Sequence, residues 1–204
     1  MPMFAIGQIV PFGFMETSGT SGSANVLIAA GSDDAREIIS TGFNETTTDR
    51  IIFGTDTNNY AAGVRFTGVN IPAGATITSA KIQFVSRFTR TGTITATIKA
   101  QKGSDPLTFA NSPVAQRVQG SGRTFTTATQ SWSPGDWSAS EDGADTLTDD
   151  FSAVLQEVVD DGAYASTHAI VVVITAVGAT NSRQFQAYEN STSDCAELIV
   201  EWTN

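Results

Sequence analysis

The segment SWSPGDWSASEDGADTLTDD, residues 131–150, combines residue types that bind sugars with residue types that bind hard cations. Trp132 and Trp137 flank a Pro-Gly turn, and an exposed indole face can stack on a sugar ring. Six carboxylates lie in the same segment, and carboxylate oxygens are ligands that Ca²⁺ prefers. Asp136 and Trp137 are therefore the candidate glycan contacts. We favour the structural alternative, in which the rings fill a core and the acids form a solvated loop.

A second acidic run, Asp33, Asp34 and Glu37, precedes the apolar pair at 38–39. Carboxylate oxygens near a first strand can hold a structural Ca²⁺, so these three side chains are candidate metal ligands and Ca²⁺ is the candidate cofactor. Arg36 stands within the same run and can pair with one of the acids instead. Both alternatives remain open on the sequence.

The residues required by common catalytic mechanisms are sparse. His168 and Cys195 are the single histidine and the single cysteine of the sequence. The sequence contains no Gly-x-Ser-x-Gly elbow and no histidine pair for zinc. Cys195 precedes an apolar strand and is expected to be a small core residue. We therefore predict a protein that is not an enzyme.

Charge limits the classes of partner. The formal net charge is −10, which disfavours nucleic acid and anionic membrane surfaces because both require clustered Lys and Arg. No stretch approaches the ~20 apolar residues that span a bilayer. The basic residues are scattered, which is typical of solvated strand faces; contact with acidic glycans is the alternative. Those considered are Arg87, Arg90, Lys99, Lys102, Arg117, Arg123 and Arg183.

Alternating and continuous apolar runs predict an all-β fold. Residues 79–88, 93–100 and 196–202 alternate between apolar and polar side chains, while 168–176 is apolar on both faces and predicts a central strand. Weaker strands are predicted at 26–30, 50–54, 62–67, 113–119, 124–132 and 183–189. About ten strands without a βαβ rhythm indicate a two-sheet jelly-roll sandwich.

One amphipathic helix is predicted at about 149–160. Phe151, Val154, Leu155, Val158 and Val159 form its apolar stripe, Thr148 or Asp149 can cap its start, and Gly162 can end it. The predicted organisation is an apolar N-terminal arm at 1–16, a flexible linker at 17–25 and a sandwich domain at 26–204.

Several motifs resemble, in order, a jelly-roll module of large secreted bacterial proteins that carry adhesion and polysaccharide-binding domains. They are GSDDAREI, GVRFTGVNIPAGATITSAKIQF, QSWSPGDWSASEDGAD, DDFSAVLQEVVD, HAIVVVITAVG and AELIVEW, which together cover residues 29–202. The resemblance implies a sandwich like those of carbohydrate-binding modules, without catalytic machinery. Arg36 replaces an acid usual in that family, and the arm has no counterpart there.

The arm suggests how such a module is used. Its apolar side chains would form an interaction surface if exposed, and an extended arm can add a strand to a neighbour's sheet. These candidate anchoring and oligomerisation residues are Phe4, Ile6, Ile9, Val10, Phe12 and Phe14. The alternative is that the arm folds back on its own domain.

No basic residue precedes the apolar part of the arm, so we do not expect a secretion signal. The resemblance is to a domain type found outside cells, which needs a route of release if no secretion signal is present. Phage particles offer such a route, because they leave the cell by lysis. We therefore predict a virion surface subunit: a head decoration, fibre or tail-associated protein. Its expected partners are capsid or tail proteins, sister subunits and polysaccharide. The alternative is an extracellular carbohydrate-binding or adhesive module of a secreted bacterial protein.

Overall fold

The computed structural model describes residues 19–204, so the predicted arm and residues 17–18 of the predicted linker lie outside the described residues. The described residues form twelve strands and one α-helix, α1, at Ser152–Val159. The strands are β1 Ser21–Leu27, β2 Asp34–Ile38, β3 Phe43–Glu45, β4 Arg50–Thr55, β5 Asn59–Phe66, β6 Thr76–Gln83, β7 Ala96–Lys102, β8 Thr124–Phe125, β9 Gln130–Trp132, β10 Ile170–Thr175, β11 Ser182–Gln186 and β12 Glu197–Thr203.

Two antiparallel sheets form the sandwich. The small sheet has the order β1-β12-β6. The large sheet follows the order β11-β4-β5-β10-β7-β8, with β2 paired to both β5 and β3, and β9 paired to β7. The predicted all-β, two-sheet sandwich with one helix is therefore confirmed, with more and shorter strands than the sequence indicates.

The main core lies between the two sheets and follows the side-chain alternation of the strands. Leu198, Val200 and Trp202 of β12 face inward, while Glu201 is exposed, as the pattern in the sequence predicts. Every residue of β10 from Ile170 to Ile174 is buried because the outer face of this strand is covered as well. Phe109 and Val118, from the long connection after β7, pack against that outer face.

The helix α1 packs against β6 and β7 and closes one side of the core. Its apolar stripe is buried as predicted, but it begins at Ser152, three residues later than predicted. The Asp150 carboxylate accepts hydrogen bonds from Ser152 N at 2.8 Å and from Ala80 N at 3.1 Å, so it joins the helix start to β6. Thr148, a predicted cap, instead accepts from Ile82 N at 2.9 Å.

Residues 84–90 leave the small sheet and cross to the large one. Gln83 pairs with Leu147 beside β6, and three residues later Ser86 pairs with Phe185 of β11. Arg87 N donates to Gln184 O at 2.8 Å, and Arg90 pairs with Trp137 on the other side of the crossing segment. The crossing segment therefore joins the edges of both sheets to the loop at 133–141.

Two sequence predictions are wrong in detail. Ser21–Asn25, predicted as linker, belong to β1, because pairing with β12 orders a Ser- and Gly-rich stretch that has no strong propensity of its own. Residues 113–119, predicted as a strand, contain a 3-10 turn at Val114–Gln116, which follows Pro113. The short strands β2 and β3 were not predicted.

Candidate functional site

The two tryptophans of the opening segment lie inside the sandwich. Trp132 is 2 % exposed and Trp137 is 1 % exposed, and both belong to an aromatic cluster with Phe53, Phe84 and Phe185. The ring centroids of Trp137 and Phe53 are 6.1 Å apart in an edge-to-face arrangement, and Trp137 Nε1 donates to Asp145 O at 2.7 Å. A ring that is covered on both faces cannot stack on a sugar, so the candidate glycan role of Trp137 is corrected to a core role.

Arg183 holds the loop between the tryptophans. Its side chain is 0 % exposed, and its guanidinium donates to Gly135 O at 2.6 and 2.8 Å and to Gly92 O at 2.8 Å. Asp136 is exposed, accepts from Gly92 N at 2.8 Å and lies 3.7 Å from the Arg183 guanidinium. Burial lowers the pKa of Arg183, and the Asp136 charge partly opposes this shift. Asp136 therefore helps to fix the loop rather than standing beside an accessible ring.

One of the acids that follow Trp137 also binds the backbone of its own loop. Glu141 accepts from Ser138 N at 2.6 Å, and Asp142 is exposed. Within residues 19–204, no group of three or more His, Cys, Asp or Glu side chains is placed to hold a metal ion. The solvated loop favoured from the sequence accounts for these residues.

The N-terminal acids diverge instead of converging. Asp33 forms an ion pair with Arg65 at 2.7 Å, and Glu37 accepts from Gln119 N at 2.7 Å. Asp34 is 0 % exposed and accepts from Tyr188 N at 2.9 Å. Because successive strand residues face opposite sides, Asp34 and Glu37 lie on different faces of β2. These three residues therefore do not form the calcium site that the sequence suggested, since no single ion can contact all three. Arg36 pairs with Glu45 at 2.5 Å and with none of them.

Asp34 and Cys195 share a buried environment between the sheets. Burial raises the pKa of Asp34 to about 8, and burial raises the pKa of Cys195 to about 11. The Cys195 thiol donates to Thr192 O at 3.5 Å and is 2 % exposed, which confirms the prediction of a core residue. A thiol with a raised pKa is a poor nucleophile.

His168 is placed in a structural turn. Its Nδ1 accepts from Ala165 N at 3.2 Å, and its ring meets Tyr164 edge to face at 6.0 Å. No carboxylate or hydroxyl is hydrogen-bonded to this ring among the described residues. The geometry therefore offers no base and nucleophile pair at His168.

A different surface has the character of a binding site. Phe88 lies on the crossing segment and is 37 % exposed, and three guanidinium carbons lie close to its ring centroid. The distances are 4.9 Å for Arg87, 5.6 Å for Arg50 and 6.0 Å for Arg90. We call these four residues the Phe88 patch.

Two carboxylates border the Phe88 patch. Asp49 accepts from Arg50 Nη1 at 2.9 Å and from Arg87 Nη2 at 3.4 Å. Asp56 lies 4.0 Å from Arg90 Nη2. The side chains of the three arginines are 29–34 % exposed, so their outer nitrogens are accessible to solvent.

In the sequence, Arg87 and Arg90 are two of the scattered basic residues, and neither Phe88 nor Arg50 is predicted as a site residue. The short run Arg-Phe-Thr-Arg at 87–90 was the available local signal. Arg50 belongs to β4, which lies beside the patch because it pairs with β11. No local sequence pattern predicts that Arg50 lies close to Phe88.

No helix within residues 19–204 is both long and apolar enough to cross a bilayer. Comparison with models of known protein families gives no match, and comparison with curated proteins gives none.

Proposed function

We propose that the protein is a non-catalytic structural and binding protein that attaches through its N-terminal segment and displays the sandwich outward. The assembly we propose is a phage particle, with the chain as a head decoration, fibre or tail-associated subunit on the virion surface. The apolar residues at 1–16 would supply the attachment. The observation that supports this proposal is the free edge of β1, the strand that follows this segment.

The strand β1 has a free edge. Ile28 N donates to Ala196 O at 3.1 Å, and Asn204 N donates to Thr20 O at 3.0 Å. Paired residues in an antiparallel ladder alternate between bonded and non-bonded positions, so the even-numbered residues of β1 face β12. The main-chain groups of Ser21, Ser23, Asn25 and Leu27 therefore point away from β12, and no described strand pairs with them.

This edge carries none of the protection usual for edge strands. Proteins block free edges with charged residues, prolines or bulges. The β1 sequence SGSANVL contains no charge and no proline, and its pairing with β12 is continuous from Ser21 to Leu27. An added strand from a particle protein or a sister subunit would gain main-chain hydrogen bonds there, and the adjacent apolar segment would bury side chains in the same contact.

The rest of the sandwich is suited to display because buried arginines hold its long loops. Arg123 is 7 % exposed and donates to the carbonyls of Leu107, Gln116 and Arg117. Burial lowers the pKa of Arg123 to about 10, yet the group stays charged at neutral pH. Loops held in this way present a fixed surface.

The test compares the intact chain with a chain lacking residues 1–16, using light scattering for assembly and co-sedimentation with the particles for attachment. We expect the shortened chain to lose attachment while keeping its far-UV circular dichroism spectrum. In the intact chain, Ser23→Lys should weaken assembly because it places a charge on the free edge. Thr78→Lys, on the exposed face of β6, is the matched control and should have no effect. Unchanged attachment after the deletion would overturn the proposal.

A further inference from the structure

We propose that the Phe88 patch binds a saccharide that carries a carboxylate, such as a uronic acid unit of a polysaccharide. The inference deepens the display role proposed above by naming what the displayed surface recognises. Planar guanidinium groups form paired hydrogen bonds with carboxylates, and Phe88, which is 37 % exposed, adds apolar surface beside them. The patch brings both features together on one edge of the sandwich.

The arginines of the patch differ from the structural arginines in how their donors are used. Arg183 and Arg123 each donate to several carbonyl groups, and both are buried. In the described residues, the three patch guanidiniums make two hydrogen bonds to protein, both to Asp49. Most N–H groups of the patch therefore remain available to an acceptor from outside.

The buried polar atoms of the patch are also incompletely satisfied. Seven buried side-chain nitrogen or oxygen atoms lack a hydrogen-bond partner among the described residues, and four of them are at or beside the patch. These are the Nε atoms of Arg50, Arg87 and Arg90 and the Oε1 atom of Gln184. Gln184 is 0 % exposed and its Nε2 donates to Asp56 at 3.3 Å. The three Nε atoms are closed to solvent, so the outer Nη groups of the arginines are the donors that would meet a bound carboxylate.

The local charge favours an anion. Three cationic side chains face Asp49 and Asp56, which leaves one positive charge uncompensated in a chain whose formal net charge is −10. Asp49 lies between Arg50 and Arg87, whereas the nearest carboxylate to Arg90 in the patch is Asp56, at 4.0 Å. A single carboxylate would balance the patch.

The size and charge of the patch favour a small anionic ligand over larger polyanions and over protein partners. Nucleic acid carries one charge per ~1.7 Å of duplex and requires more cations than three. Anionic membranes attract clusters of about 4–8 basic residues. A protein partner would need an apolar contact core within roughly 800 Å² of buried surface on each side, whereas the patch offers one half-exposed ring. A single carboxylated sugar unit matches a patch of three arginines and one partly exposed ring.

The experiment measures binding of the full chain to three oligosaccharides by isothermal titration calorimetry. The probes are an oligogalacturonate, a sulfated oligogalactan and a neutral oligogalactan. We expect binding to the oligogalacturonate that weakens as salt is raised, because the contact is partly exposed. Arg87→Gln and Arg90→Gln should each weaken it by at least about tenfold, since hydrogen bonds to charged groups are the strong ones.

Two further variants make the result specific. Arg90→Lys keeps the charge but loses the forked donors, so we expect binding between that of the wild type and Arg90→Gln. Lys81→Gln removes one positive charge from the small sheet and should leave affinity unchanged. Failure to bind the oligogalacturonate, equal binding of the neutral probe, preference for the sulfated probe, or an equal loss in Lys81→Gln would each overturn the proposal. The assay does not depend on residues 1–16, so its failure is distinct from a failure of attachment.

Discussion

Replacing Trp137 by alanine tests whether this ring is part of the core or part of a binding surface. The side chain is 1 % exposed and touches Phe53, Phe84 and Trp132 in the aromatic cluster. Burying a ring of ~150–250 Å² at ~25 cal/mol per Å² stabilises the fold by about 4–6 kcal/mol. Substitutions of this type in cores cost about 3–5 kcal/mol, which is the loss we expect.

A loss of that size is easy to measure. For a domain of this length, each kcal/mol lowers the melting temperature by roughly 2–4 °C, so Trp137→Ala should melt roughly 6–20 °C lower than the wild type. Urea unfolding followed by far-UV circular dichroism gives the free energy without interference from the other tryptophans. Trp137→Phe, which removes the hydrogen bond to Asp145 O, should lose about 2 kcal/mol.

The control is Leu107→Ala, because Leu107 is 59 % exposed and its removal should change stability by less than about 0.5 kcal/mol. A loss of less than about 1 kcal/mol in Trp137→Ala would show that the ring does not fill the core. We also expect Trp137→Phe to leave saccharide binding at the Phe88 patch unchanged. A loss of binding in a stable Trp137→Phe protein would show that this ring either contacts the ligand or positions Arg90, with whose main chain Trp137 pairs.

Three further predictions concern buried charges and calcium. Burial raises the folded pKa of Asp34 to about 8, whereas an unfolded Asp titrates near about 3.9, so this residue favours the folded state at low pH and that contribution is lost as pH rises from about 4 to 8. Asp34→Asn should therefore show a smaller decline of unfolding free energy between pH 5 and pH 8 than the wild type; an identical decline would contradict the assignment. Calcium or a chelator should leave the melting midpoint unchanged, because the three predicted ligands diverge, and a rise with calcium would show a site that binds the native state. Arg183→Met should cost about 1–3 kcal/mol for each carbonyl that loses its donor, and it should speed amide exchange in the 133–136 loop. Unchanged exchange would show that Arg183 does not hold this loop.

The sequence predicts those parts of the fold in which one segment carries its own pattern. The continuous apolar run at 168–176 becomes β10, the alternating run at 196–202 becomes β12, and the stripe around Leu155 becomes the buried face of α1. Each of these patterns shows which side chains become buried, and each lies within one continuous segment of the chain. The core position of Trp132 follows from the same reasoning.

The parts that could not be predicted depend on contacts between distant segments. Arg183 resembles any strand arginine in sequence, and its burial depends on carbonyls of Gly92 and Gly135 from other loops. The Phe88 patch likewise requires Arg50 to lie beside the crossing segment. For Ser23 in β1, composition alone fits a linker as well as a strand, and pairing with Glu201 decides between them.

The position of β12 has a consequence for the order in which the molecule forms. This strand lies between β1 and β6, and Ser21 of the first strand pairs with Thr203. Neither neighbour has its ladder partner until residues 197–203 have emerged from the ribosome, so the small sheet cannot be an early unit of cotranslational folding. The pairing partners in the hairpin of β4 and β5 are close in sequence, so we expect this hairpin to form before the small sheet, whose long-range pairing is expected to be slow.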